Sequence, residues 1–359
     1  MKRFVLSFAL IIGLLTSAST LQAQVNMSRY ITLTVKSGEA ISLDLMAAAA
    51  GTPVRIVSGS NTQDITVGTG WYDGNTPSTF TVTADGTEMK VYGDIISFNC
   101  SINGANITEL DLSHNTQLTS LNCGFNKLTT LDVSQNTQLT SLNCYSNKLT
   151  TLDVSQNTQL TELNCGYNQL TTLNVTKNTQ LTELYCSSNQ FTSLNVTKNT
   201  KLKKLICYGN NFSTLDLDRI YCTLPDRKDS TDAGEIYPVY SDTSSNHAIV
   251  LATNKANAIA KNWTVQYAKD NADIPATSGT YDCSTAVAEA TAEPSLTLYP
   301  NPVADVLYLS ATARTIRIYN IYGIEVAHAT DTDKVEVSHL PAGVYTVKAD
   351  GTVAKMVKR

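Results

Sequence analysis

Residues 118–138 read LTSLNCGFNKLTTLDVSQNTQ and residues 139–159 read LTSLNCYSNKLTTLDVSQNTQ, identical except that Gly124-Phe125 becomes Tyr145-Ser146. The 21-residue step persists: Leu118, Leu139, Leu160, Leu181 and Leu202 keep it, as do Cys123, Cys144, Cys165, Cys186 and Cys207, and Asn126, Asn147, Asn168, Asn189 and Asn210. An earlier copy, IISFNCSIN over 95–103, lies 23 residues ahead. A fixed period in this range marks a solenoid, in which each coil buries its apolar side chains only against its neighbours. Six coils are therefore expected over 95–217. Each half coil has the form LxxLxLxxN, and Leu-x-Cys and Leu-x-Val alternate with the period of a strand. The spacing predicts one strand per half coil, two parallel ladders on opposite walls, and little helix.

This pattern resembles the leucine-rich repeats, more narrowly the short nested 21-residue bacterial class and the cysteine-bearing repeats of internalin J-like surface proteins. The resemblance implies a binding scaffold at a cell surface and names no ligand.

The chain has eight cysteines. Six share one ladder position. Neighbouring coils stand about 4.7 to 4.9 Å apart with parallel side chains, whereas a disulfide wants Cβ atoms about 3.8 Å apart and turned toward each other. Buried free thiols acting as small apolar fillers are expected. Cys222 and Cys283 lie outside the ladder and could staple the segment between them. The asparagine ladder from Asn126 to Asn210 sits where the chain turns, and a short amide there can satisfy backbone groups that water does not reach. Asp111, Asp132, Asp153 and Asp216, with Asn174 and Asn195 among them, look like a calcium ladder. Two of the six are already amides and no EF-hand loop accompanies them, so a solvated edge is the expectation.

The four histidines are scattered and no HExxH, GxSxG, phosphate-binding or dinucleotide-binding motif occurs. The formal charge is −5, from 26 basic and 31 acidic residues, with no basic stripe for nucleic acid. The expectation is a protein that is not an enzyme and needs no cofactor or metal.

The ends carry addresses. Residues 1–23 begin with Lys2-Arg3, continue through an apolar stretch and close on Leu21-Gln22-Ala23, the pattern of a secretory signal peptide. That stretch is too short to span a bilayer, and no other segment is long and apolar enough for a transmembrane span. Residues 284–292, STAVAEATA, read as a linker. Residues 293–359 alternate apolar and polar in short runs and read as a small antiparallel β-sandwich. Their motifs Tyr299-Pro300-Asn301-Pro302, Ile318-Tyr319-Asn320 with Gly323, Leu340-Pro341-Ala342-Gly343-Val344-Tyr345 and the basic end Lys355 to Arg359 resemble the C-terminal sorting domain of the type IX secretion system of Bacteroidetes. That resemblance implies partnership with the secretion machinery, passage through the outer membrane, removal of the domain by a sortase-like peptidase, and often attachment to the cell surface.

Between these ends, 24–94 are strand-like and read as a β cap, and 218–283 as a second cap with a short helix at 254–261 and a strand at 263–267. The fold expected is mainly β: a capped leucine-rich-repeat solenoid followed by the sorting domain. The early coils present bland polar residues outward, while later coils bring Tyr145, Glu183, Tyr185, Lys204, Ile206 and Tyr208 onto one wall. Aromatic residues on a rigid sheet suit protein interfaces and sugar stacking alike. Two readings stand: these residues are a ligand patch, or the tyrosines stack on one another to stabilise the ladder. The function expected is adhesion or colonisation by binding a protein on a host or neighbouring cell; the alternative is a carbohydrate-binding or biofilm-matrix scaffold.

Overall fold

A computed structural model describes residues 24–70, 79–101, 103–283, 298–320, 324–349 and 352–359. The expected signal peptide and linker, and Gly323, lie outside the described residues.

Among the described residues, eight strands form the N-terminal region: β1 (Tyr30–Val35), β2 (Ala40–Ala47), β3 (Thr52–Ser58), β4 (Asn61–Val67), β5 (Thr79–Thr83), β6 (Glu88–Tyr92), β7 (Ile95–Asn99) and β8 (Ile107–Asp111). Their period-two alternation turns Ile31, Leu33, Ile41, Leu43 and Leu45 fully inward. One sheet runs β4-β3-β6-β1-β8. The other begins β5-β2-β7 and continues into the repeats through β9 (Ser120–Asn122), β10 (Ser141–Asn143), β11 (Glu162–Asn164), β12 (Glu183–Tyr185) and β13 (Lys204–Ile206). Strand β7 is antiparallel to β2, with Leu45 opposite Phe98, and parallel to β9, with Phe98 opposite Leu121. It splices the cap onto the solenoid. Asn103 seals the joint, its side chain bonding both the N–H and the carbonyl of Ser42 at 2.8 Å.

In register, Leu121, Leu142, Leu163, Leu184 and Leu205 form one buried row. Cys100, Cys123, Cys144, Cys165, Cys186 and Cys207 form another, all free and buried. The first asparagine ladder bonds as its position implies: the Asn147 amide donates to the carbonyls of Cys123 and Cys144 at 3.0 and 3.1 Å and accepts the Leu128 N–H at 3.0 Å. Threonines add a further ladder, each hydroxyl donating to the carbonyl of the previous coil, as Thr140 to Thr119 at 3.0 Å.

The expected second strand ladder does not form. Among the described residues, the second half of the first coil is a strand, β8, and it pairs with β1 of the cap rather than with the next coil. Elsewhere the carboxylate of Asp132 or Asp153, or the amide of Asn174 or Asn195, accepts the N–H two residues on at 2.9 to 3.0 Å, closing a turn where a strand would run. The coils on that wall are joined by one backbone bond per coil, as the Lys148 N–H to the Leu128 carbonyl at 2.8 Å, and otherwise through side chains. Asn157 donates to the carbonyls of Val133 and Asn136, both at 2.9 Å, and Asn136, Asn178 and Asn199 repeat the arrangement. These amides are fully buried, and they form a second asparagine ladder that the sequence reading passed over.

The repeat pattern also ends earlier than Leu217. Helix α1 (Thr214–Thr223) replaces the last half coil, begun by a capping box between Ser213 and Asp216. It buries Leu217, Ile220 and Tyr221 at helical spacing. Asp216 therefore belongs to a helix cap and not to an edge row. Beyond it, β14 (Gly234–Val239), α2 (His247–Leu251), α3 (Ala256–Ile259) and β15 (Trp263–Tyr267) follow, and β14 and β15 extend the parallel ladder past the repeats. Gly234 is required there, since a Cβ would lie 2.4 Å from the Trp263 ring. Cys222 and Cys283, 61 positions apart in the sequence, are disulfide-bonded and fasten this end.

The tail is antiparallel: β16 (Leu298–Tyr299), β17 (Val306–Tyr319), β18 (Glu325–Glu336), β19 (Gly343–Ala349) and β20 (Thr352–Lys358) form one five-stranded sheet around a core of its own. The register break in β17 between Tyr308 and Ala313 divides its long pairing with β18.

Burial raises the thiols of Cys100, Cys144 and Cys207 from 9.0 to about 12, and those of Cys123, Cys165 and Cys186 move the same way for the same first cause. A thiol held protonated by the fold contributes full stability below its unfolded value and loses it as pH climbs through the folded one. At pH 10 each of Cys100, Cys144 and Cys207 should favour unfolding by about 1 kcal/mol relative to neutral pH, with Cys123, Cys165 and Cys186 acting in the same direction. Urea midpoints should hold to pH 8.5 and fall steeply between pH 9 and 10; a flat profile would contradict the buried ladder.

Candidate binding face of the strand ladder

Each short strand turns its middle leucine inward and its first and third residues outward. Register aligns the outward residues in rows across the strands. The first row runs Ser97, Ser120, Ser141, Glu162, Glu183, Lys204, Glu235, and the second Asn99, Asn122, Asn143, Asn164, Tyr185, Ile206, Tyr237. Toward the N-terminal end this face is uniformly serine and asparagine. From β11 onward it is charged and aromatic.

The six residues singled out in the sequence do not form one compact group. Glu183, Tyr185, Lys204 and Ile206 occupy the two rows on β12 and β13, half-buried by their neighbours. The Tyr185 hydroxyl donates to the Glu183 carboxylate. Burial, and then Glu183, push the Tyr185 phenol well above its ordinary range. Lys204 pairs with Glu235 at 3.2 Å and lies 5.5 Å from the centre of the Tyr237 ring. Burial first, and Glu235 next, lift the Tyr237 phenol to about 12.

Tyr145 and Tyr208 belong to a separate aromatic strip just past the strand ends. Tyr145 lies between Phe125 and Tyr167, with ring centres 5.1 and 4.9 Å away, and Tyr208 contacts Tyr240 at 5.5 Å. Burial pushes the Tyr208 phenol to about 12. Gly166 makes room for the strip, since a Cβ there would sit 3.3 Å from the Tyr145 ring.

Phe125, Tyr167, Tyr237 and Tyr240 were not among the expected residues. The first two were legible: the dipeptides after the cysteines read Gly-Phe, Tyr-Ser, Gly-Tyr, Ser-Ser and Tyr-Gly, so the aromatic residue alternates with a small one in four of five coils. The second residue of each pair has a left-handed backbone, with φ of 55° at Phe125, 54° at Tyr167 and 68° at Gly209. A side chain in that region costs about 1 to 2 kcal/mol. Phe125 and Tyr167 nonetheless occupy it, 52% and 44% exposed.

The sorting-motif residues pack at the end of the tail. The Asn301 amide accepts the Val357 N–H and donates to the Lys355 carbonyl, both at 2.8 Å, clamping the Tyr299–Pro302 turn to β20. Tyr345 is buried and donates to the Pro341 carbonyl at 2.8 Å, while Gly343 opens β19. Among the described residues, no group of His, Cys, Asp and Glu side chains gathers as a metal site, and no helix is long and apolar enough to cross a membrane.

Residues 297–359 match the family of secretion system C-terminal sorting domains. The tail is thus a sorting domain, and its family indicates type IX secretion with export across the outer membrane. No curated protein matches the chain. Among solved structures, the chain is similar to the functional domain of InlJ from Listeria monocytogenes, which includes a cysteine ladder: 24% identity, 74% of this chain and 67% of that one covered, TM-score 0.36. It is also similar to the L. monocytogenes internalins InlF, at 29% identity over 32% of this chain and 36% of that one with TM-score 0.30, and InlC2, at 18% over 33% and 74% with TM-score 0.26. The chain carries a leucine-rich-repeat solenoid with a cysteine ladder, joined to a sorting domain.

If the exposed rings serve binding rather than stability, Phe125→Gly and Tyr167→Gly should leave the fold as stable or up to about 1 kcal/mol more stable, because glycine takes the left-handed backbone without strain. Urea unfolding reads this directly. A loss above about 1 kcal/mol would assign the strip to ladder stacking.

Proposed function

We propose that this protein is exported by the type IX route, loses its tail to a sortase-like peptidase, and works attached to the cell surface as a protein-binding solenoid in adhesion or colonisation. One observation carries the binding reading: Phe125 and Tyr167 are exposed aromatic side chains held in left-handed backbone, at the position where Gly209 has none. Ser146 and Ser188 share that backbone, so it belongs to each coil; at Phe125 and Tyr167 it carries rings that flank Tyr145 and yet stay half-exposed, and strain at an exposed surface gathers where that surface is shaped for a ligand. Tyr145, Tyr208 and Tyr240 widen the strip, as an interface rich in tyrosine requires. The repeat core is filled by side chains and its outward polar groups form turns, so binding by a rigid face fits this chain better than catalysis.

A second reading, a carbohydrate or matrix scaffold, is favoured by the tyrosines lying beside the serine and asparagine rows, where ring faces and hydrogen-bonding groups adjoin as they do around stacked sugars. A glycan array separates the two, since a protein adhesin ignores free sugars.

Two experiments test the proposal. Tyr167→Ser with Tyr208→Ser should abolish attachment of the exported protein to cells or matrix while its melting temperature stays within a few degrees; undiminished attachment sinks the binding face. Asn301→Ala removes two bonds that fasten β20 and should lower the amount of protein outside the cell, read by immunoblot of surface and medium fractions. Mass spectrometry of the exported form should find no residues from the tail, and its retention there would refute removal.

A further inference from the structure

The cation on this face shows what the face accepts. Lys204 is paired with Glu235 of the next strand at 3.2 Å and lies over the Tyr237 ring, whose hydroxyl donates to the same carboxylate at 3.0 Å. An ammonium thus rests against a Glu-x-Tyr unit supplied by one strand, coming from the strand before it. The preceding unit on the ladder has the same form: Glu183 and Tyr185 on β12, with the Tyr185 hydroxyl on the Glu183 carboxylate. The strand before that one presents Glu162, in register with Glu183, where the pattern of Lys204 would call for a cation.

Two carboxylates on adjacent parallel strands stand about 4.8 Å apart at the backbone and repel. Tyr185 is bonded to Glu183 on its own strand, and Glu162 stands opposite Glu183 on β11. Across β11 to β14 the first row therefore carries three carboxylates and one ammonium, beside two tyrosine rings and Ile206. The other cations nearby, Lys201 and Lys203, lie on the turn that leads into β13, with Lys201 bound to Gln180.

Resting on the reading of this sheet as a binding face, we propose that Glu162, Glu183 and Tyr185 receive a lysine or arginine side chain from an extended basic segment of the partner protein, seated as Lys204 is seated on Glu235 and Tyr237. An ammonium or guanidinium gains from the carboxylates and from the ring face together. A divalent metal would use only the former, and Glu183 already accepts the Tyr185 hydroxyl.

The test uses the full chain with fluorescein-labelled (Lys-Gly)5 and (Glu-Gly)5 peptides, followed by anisotropy at 0.15 M salt, where charges beyond about 8 Å are screened. The basic peptide should bind and the acidic one should not. Glu162→Lys supplies the cation from within and should weaken the basic peptide about tenfold or more, the scale of one well-placed ion pair, while raising the melting temperature. Asp132→Asn with Asp153→Asn makes the same change in net charge on the other wall, where Asn174 and Asn195 already close the same turns, and should leave binding unaltered. Equal weakening by both variants would show general attraction and overturn the proposal, as would indifference to Glu162→Lys. Calorimetric binding of calcium alone, displacing the peptide, would make the seat a metal site and overturn it too. If Tyr167→Ser with Tyr208→Ser abolishes surface attachment but Glu162→Lys does not, the binding face stands and this inference alone falls.

Discussion

Coiling a chain every 21 residues brings the carbonyls of its turns into an interior that water does not reach, and a buried carbonyl without a donor costs about 1 to 3 kcal/mol. Everything else in the solenoid depends on meeting that demand at each step. One wall does so with a backbone ladder, and even there Asn126 and its equivalents supply the donors past the strand ends. The other wall keeps one backbone bond per coil, as Lys148 to Leu128, and buried amides such as Asn157 supply the rest of the links from coil to coil. Leucine and cysteine fill the space between, but they set no register. The amides do, because Asn147 and its equivalents must find carbonyls both in their own coil and in the one before, and Asn157 and its equivalents two carbonyls of the one before.

Those two solutions also separate the walls by use. The amide-joined wall is committed to holding turns, with Asp132 and Asp153 engaged by the N–H groups that follow them. On the strand wall Asn122, Asn143 and Asn164 still accept the N–H two residues on, at 3.0 to 3.2 Å, but from β12 onward the outward side chains bond to one another and not to the backbone. The aromatic strip and the glutamate-tyrosine pairs lie there.

The sequence made the solenoid legible because 21-residue identity leaves one periodic answer, and the tail legible because its motifs are local. What it hid has identifiable causes. Leu-x-Val reads as a strand in isolation, and Ile107–Asp111 is one where β1 pairs with it, although Asp111 closes the same turn as Asp132; nothing in the alternation says which half coils meet such a partner. Ser213 and Asp216 announce a helix cap, but they sit inside a repeat frame in which Leu215 and Leu217 look like strand positions. Tyr145, Tyr185 and Tyr208 were identifiable as outward, whereas their division into two groups depended on where each coil turns. Tyr237 and Tyr240 belong to β14 and its exit, outside the repeat, and no period pointed to them.

The cap strands close the stack without referring to how many coils lie between them: β7 meets β2 through Phe98 and Leu45, and β14 meets β13 through Ile236 and Leu205. Two neighbouring coils are identical at all but two positions, so recombination between such stretches of gene adds or removes one whole coil and leaves both closures as they were. The fold is indifferent to that change, but the face is not. Each added coil moves Glu183 about 4.8 Å farther from Phe125, so lineages can vary the spacing of contacts along the wall as a heritable length, without designing a single new interaction.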